Sequence, residues 1–142
     1  MDTRRGPEPG LRATIPPMDL FSPKPTRRVS KPWGHELIWA HTDRYVGKIL
    51  HIKAGESLSL QYHEKKEETL HLLSGLVDLT LKKDGEEHLV RMKPGETYHI
   101  PPLLIHRMQA VEDADIVEVS TTELDDVVRL DDRYGRVGTS EP

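Results

Sequence analysis

The chain has 142 residues, a formal net charge of −4 and no cysteine. The length suits one domain; the missing cysteines exclude disulfides, thiolate metal sites and thiol nucleophiles; and the acidic balance argues against a nucleic-acid binder, which usually carries a basic domain. No apolar run reaches the ~18 residues of a membrane span, and the charged N-terminus lacks the apolar stretch of a secretory signal, so a cytoplasmic protein that does not engage a membrane is expected.

Residues 1–28 hold Pro7, Pro9, Pro16, Pro17, Pro23 and Pro25 among Arg4, Arg5, Arg12, Lys24, Arg27 and Arg28. Prolines at this density block helices and sheet ladders. A flexible arm over 1–28 is expected, with Leu20 and Phe21 as its anchors if it lies on a partner subunit, followed by a barrel domain over 29–142. From Lys31 onward, short alternating runs predict strands at 36–40, 45–53, 57–63, 69–73, 76–82, 87–91, 97–100, 105–111 and 115–121. Val77, Leu79 and Leu81 alternate with Asp78, Thr80 and Lys82, the period of a half-buried strand. Asp84-Gly85 reads as a hairpin turn, and Lys53-Ala54-Gly55 and Lys93-Pro94-Gly95 as two more. A short C-terminal helix is expected near 122–130. Many short strands with regular turns point to an all-β sandwich or barrel.

The chemistry gathers at two places. In Gly55–His63, Ser57, Ser59, Gln61 and His63 fall on one face and Leu58, Leu60 and Tyr62 on the other, because side chains two apart in a strand point the same way. Gln61 and His63 can therefore approach one ion together. Glu68 heads the next apolar strand, which runs to Ser74-Gly75, and a tight return brings it beside His63. His106 comes from a separate strand after Ile100-Pro101-Pro102. Two imidazoles, one carboxylate and one amide oxygen suit a single Zn, Mn, Fe, Co or Ni ion better than calcium.

These residues resemble the cupin superfamily. Its first motif, G-x5-H-x-H-x4-E-x6-G, is met by Gly55, Gln61, His63, Glu68 and Gly75, with Gln61 in the first His position. Its second, G-x5-P-x-G-x2-H-x3-N, is met by Gly95, Pro101 and His106, with Leu103 in place of the turn glycine and Ala110 in place of the asparagine. Lys31-Pro32-Trp33-Gly34 and Asp126-Val127-Val128-Arg129-Leu130-Asp131-Asp132-Arg133-Tyr134-Gly135-Arg136 are similar to the opening and ending of the type II phosphomannose isomerase domain, so the resemblance spans roughly 31–136. Where that family carries Q-M-H-H-H-R-A-E-H, this chain keeps Gln61, His63 and Glu68 but has Glu64, Lys65 and Thr69 at the extra His positions.

The resemblance implies a double-stranded β-helix or jelly-roll barrel, a homodimer, and a metal-dependent sugar-phosphate isomerase of the mannose-6-phosphate/fructose-6-phosphate type. It makes Arg129 and Arg136 candidates for phosphate binding and adds Lys66 in the place of the family's basic residue. A non-catalytic sugar- or metabolite-binding cupin and a metal-dependent dioxygenase or decarboxylase are the competing expectations. His51 and His99 are candidates for the base, and Trp33 for a packing anchor.

Overall fold

A computed structural model of the chain describes residues 20–139. Most of the arm expected over 1–28 lies outside them; Leu20 and Phe21 are exposed, and Arg27 and Arg28 already belong to a strand. Ten strands follow in order: β1 (Arg27–Lys31), β2 (Gly34–His41), β3 (Val46–Ile52), β4 (Leu60–Tyr62) and β5 (Glu68–Lys83). The second half comprises β6 (Glu86–Met92), β7 (Thr97–Ile100), β8 (Ile105–Ser120), β9 (Val128–Asp131) and β10 (Gly138–Thr139). They form one antiparallel sheet in the order β1-β2-β3-β8-β4-β9-β10, with β5 lying along β8 and pairing also with β6 and β7. Among the described residues no helix is long and apolar enough to cross a membrane.

The strands expected at 69–73 and 76–82 are one strand, β5, and those at 105–111 and 115–121 are one strand, β8. Ser74-Gly75 does not end β5. The register with β8 shifts around it, at Leu72/Ser74, Ser74/Leu76 and Leu76/Val77, so the strand bends without leaving the sheet. Gly75 sits at φ +92°, and a Cβ there would lie 2.1 Å from the carbonyl oxygen of Asp113. Only glycine fits so close a backbone approach at positive φ.

The helix expected over 122–130 is absent. Tight turns take its place, with the Leu124 amide donating to Thr122 O at 2.8 Å and the Asp126 amide to Glu123 O at 3.3 Å. Val128–Asp131 then forms β9 along β4, Arg129 opposite Gln61 and Val128 opposite Tyr62. The β-branched pair Val127-Val128 favours extended backbone, and the free edge of β4 supplies the partners a helix would have found within itself.

Inward-facing positions divide into two layers. Along β3 they read Lys48, Leu50, Ile52; along β8, Glu118, Ile116, Ala114; along β5, Glu68, Leu70, Leu72, and all nine are buried. Because neighbouring strands are antiparallel, the apolar members stack at one end and the charged members at the other. The apolar end joins Val77, Leu79, Met92, Ile100 and Met108 in a single core. Each large side chain buried there contributes about 1.5–3 kcal/mol, which offsets the burial of charge above it. Trp33 closes the core at 2% exposure, and Gly34 behind it has no room for a Cβ, since His51 O would lie at 1.9 Å.

Candidate metal centre

His63 follows β4, Glu68 opens β5 and His106 lies near the start of β8. Gln61 and His106 are cross-strand partners, and the short loop 63–67 folds Glu68 back beside His63. The donor atoms of His63, Glu68 and His106 all lie within 4.8 Å of one another, and all three residues are buried. Glu68 Oε2 is 3.3 Å from His63 Nε2 and 3.1 Å from His106 Nε2, and the two imidazole centroids are 5.2 Å apart.

Hydrogen bonding on the far side of each ring fixes what faces the centre. His63 Nδ1 lies 2.6 Å from the carbonyl oxygen of Asp126, and His106 Nδ1 lies 2.8 Å from that of Leu104. A carbonyl only accepts, so each Nδ1 carries the proton and donates it. In the neutral imidazoles, each Nε2 then presents a lone pair toward the Glu68 carboxylate. Both Nε2 atoms are buried without a hydrogen-bond partner. Donors crowded on one point are satisfied by a positive charge between them, either a proton on an Nε2 shared with Glu68 or a metal ion. Backbone-oriented imidazoles with a carboxylate form the donor set of a transition-metal site, so the residues fit such an ion.

Behind the donors stands a buried ion network. Lys66 Nζ lies 3.2 Å from Glu68 Oε1 and 3.1 Å from Glu118 Oε2. Burial alone would push the Lys66 ammonium down, but Glu118 and Glu68 outweigh it and hold its pKa above the ordinary lysine range. Burial would likewise push the Glu68 carboxyl up; the charge of Lys66 leads what overcomes it and keeps the group well below the usual carboxylate range. Glu118 goes the other way: burial, and then the nearby Glu68 charge, raise it despite Lys66 and Lys48.

The same cavity, about 550 Å³ including its open mouth, is lined on another side by Lys31, Lys48, Arg129 and Arg136 with Glu36. Lys48 Nζ is 3.3 Å from Glu36 Oε1 and Lys31 Nζ is 4.0 Å from Glu36 Oε2. Burial lowers the Lys31 pKa; Glu36 opposes that shift, while Lys48, Arg136 and Arg129 add to it. The cations are thus close enough to repel one another. Asp132 holds Arg136 from behind, with Oδ2 2.9 Å from Nε and Oδ1 3.0 Å from Nη2.

The structure therefore brings His63, Glu68 and His106 together and places Gln61, Lys66, Arg129 and Arg136 on the same cavity. Gln61 Oε1 accepts a hydrogen bond from Ser59 Oγ at 2.7 Å. His51 and His99 do not line the cavity; they pair with Asp115 and Glu67 at 2.7 and 2.6 Å. Reading the sequence overlooked Glu36, Lys48 and Glu118. Each carried a signal, a charged residue in phase with a buried apolar stripe: Glu36 with Ile38, Lys48 with Leu50 and Ile52, Glu118 with Ile116 and Ala114.

Residues 22–132 match the family described as mannose-6-phosphate isomerase C-terminal. The chain belongs to that family. It is 36% identical over 116 residues to the mannose-1-phosphate guanylyltransferase of Escherichia coli (strain K12), covering 78% of this chain and 23% of that protein. It thus spans about a quarter of the length of the curated relatives it matches. Among solved structures, KdgF from Halomonas sp. superposes with a TM-score of 0.60 at 21% identity, covering 72% of this chain and 89% of that one. Oxalate decarboxylase from Bacillus subtilis gives a TM-score of 0.66 at 17% identity, covering 78% and 31%. Those two likenesses establish the fold, a cupin barrel. The span matched to the mannose-6-phosphate isomerase C-terminal family contains Gln61, His63, Lys66, Glu68, His106 and Arg129, while Arg136 lies just beyond it.

Proposed function

We propose that this chain is a metal-dependent sugar-phosphate isomerase that interconverts mannose-6-phosphate and fructose-6-phosphate or a closely related pair. The observation that carries the reading is the clustering of His63, Glu68 and His106 donor atoms within 4.8 Å of one another beside a cavity that His63 and Glu68 line together with a separate group of lysines and arginines. Gln61, His63, Glu68 and His106 would hold the ion; Gln61 Oε1 keeps a second lone pair beside the one Ser59 uses. A divalent ion there supplies Lewis acidity for the neighbouring oxygens of an open-chain sugar.

Charge favours a phosphorylated substrate. The cavity is lined by five cations, Lys31, Lys48, Lys66, Arg129 and Arg136, against four carboxylates, Glu36, Glu68, Glu118 and Asp126. A divalent ion would leave three positive charges in excess, and a phosphate monoester near neutral pH carries close to two negative ones. Lys66 is already bridged between Glu68 and Glu118, so its role is to hold the donor carboxylate. Arg129, Arg136 and Lys31 are the groups suited to the phosphate, since guanidinium forks match its oxygens. The reading further takes the protein as a cytoplasmic homodimer that acts on a small molecule and engages neither nucleic acid nor membrane.

The experiment is a coupled assay of mannose-6-phosphate to fructose-6-phosphate conversion with the whole protein, loaded in turn with Zn, Mn, Co, Ni and Fe(II). Turnover that disappears in His63→Ala and weakens in Arg129→Ala supports the proposal. Binding of the sugar phosphate without turnover under any metal replaces it with a binding module. Oxygen consumption with Fe replaces it with oxidative chemistry.

A further inference from the structure

We infer that Asp126 is the positioning residue of the metal centre, a clamp that holds His63 and the loop after it in the arrangement that faces Glu68 and His106. This rests on the metal reading above and extends it to a residue outside the donor set.

One residue satisfies donors on four consecutive positions. The Asp126 carboxylate accepts the amide of Glu64 on Oδ1 at 3.0 Å, and those of Lys65 and Lys66 on Oδ2 at 2.6 and 2.9 Å. Its backbone carbonyl accepts His63 Nδ1–H at 2.6 Å. Hydrogen bonds to an ionised acceptor are about twice as strong as neutral ones, and three successive amides turned to one carboxylate form a concave anion nest. The loop is short, so the same three bonds also fix where Glu68 begins and how Lys66 enters the cavity.

The chain continues from the clamp directly into the site. Val127 is buried at 7% exposure, Val128 pairs with Tyr62, and Arg129 pairs with Gln61. Asp126 thus ties His63 to the segment that also backs Gln61. Removing its side chain leaves the carbonyl in the sequence but frees three amides, and with them the register that keeps that carbonyl on Nδ1. The ring is then free to turn, and Nε2 leaves the point it shares with Glu68 and His106.

The test titrates Co(II) alone into the whole metal-free protein and follows the d–d absorption. Asp126→Ala is expected to weaken Co(II) binding by about 10–100-fold, the usual loss for an orienting partner behind a ligand. Asp126→Asn, which can restore two of the three amide bonds, is expected to fall between. Asp113→Ala serves as control: Asp113 Oδ1 caps the Ala54 amide at 2.7 Å in a turn away from the donors, so this change lowers stability and leaves Co(II) affinity as in the wild type. Folded Asp126 variants that bind Co(II) like the wild type overturn the clamp, as does an equal loss in Asp113→Ala. If Asp126→Ala does not fold, Asp126→Asn decides by the same comparison. A wild-type chain that binds no Co(II) removes the metal reading and the clamp with it, and does so before any variant is made.

Discussion

The Leu103 amide donates to the carbonyl oxygen of His63 at 2.7 Å, with Leu103 held at φ +74°. The next residue, Leu104, offers its carbonyl to His106 Nδ1. One turn therefore touches both imidazole-bearing residues, and its geometry demands a left-handed residue where the sequence has leucine. The substitution of leucine for the motif glycine leaves that left-handed conformation in place.

Left-handed backbone costs a residue with a Cβ about 1–2 kcal/mol, and glycine returns roughly 0.5–1 kcal/mol of that as added freedom of the unfolded chain. Leu103 is 65% exposed, so little packing is lost on truncation. Leu103→Gly is expected to leave stability unchanged or raise it by up to ~1 kcal/mol, whereas β-branched Leu103→Val lowers it by ~1–2 kcal/mol. Urea denaturation in the presence of chelator measures both. A glycine variant clearly less stable than the wild type contradicts the assignment of strain.

Lys66 stands between two carboxylates, and all three side chains are at most 7% exposed. Lys66→Met leaves both carboxylates buried without their cation, an arrangement that costs ~3–5 kcal/mol. Lys66→Met/Glu118→Gln removes one of the stranded charges and recovers part of the loss. The same denaturation measurement applies, and a single variant as stable as the wild type would show that the network is hydrated and weak.

Gly75→Ala tests the bend in β5. A methyl group at that position meets Asp113 O at 2.1 Å and Ala114 Cα at 2.7 Å, with φ fixed at +92°. The clash is with backbone, so the strands must part; destabilisation by several kcal/mol is expected, at the upper end of single-residue effects. An alanine variant within ~1 kcal/mol of the wild type would mean that the register shift relocates at little cost.

Alternation and turn residues made the barrel legible, and the spacing of His63, Glu68 and His106 made their meeting legible. Two kinds of feature were not. The length of β5 and β8 was hidden because Ser74-Gly75 looks like a turn; the register with β8 is a long-range property that no local pattern encodes. The fate of 122–130 was hidden because Asp126 spends its carboxylate on amides some sixty positions earlier, and Val128 and Arg129 pair with β4. Glu36, Lys48 and Glu118 were legible in principle, since each interrupts a stripe that is otherwise apolar.

Asp132 gives a pH dependence outside the donor set. Burial pushes its carboxyl up, but hydrogen bonds from the Arg136 side chain and amide, with the charge of that guanidinium, outweigh burial and hold it below the usual range. A folded-state pKa below the unfolded ~3.9 stabilises fully at pH above that value and loses the contribution as pH falls through the lower, folded value. Asp132→Asn should therefore be less stable than the wild type by ~1–3 kcal/mol at pH 7, with the gap closing only below about pH 4. Thermal unfolding across pH 3–7 measures the gap; a difference that vanishes already at pH 6 points to another group.

Equilibrium dialysis of the metal-free protein against Co(II) or Zn(II), with metal counted per chain, tests the centre itself. One tightly held equivalent is expected in the wild type, and none in His63→Ala or His106→Ala with the fold retained. A wild type that retains no metal, or two histidine variants that retain the full equivalent, would contradict the convergence of these side chains on one ion.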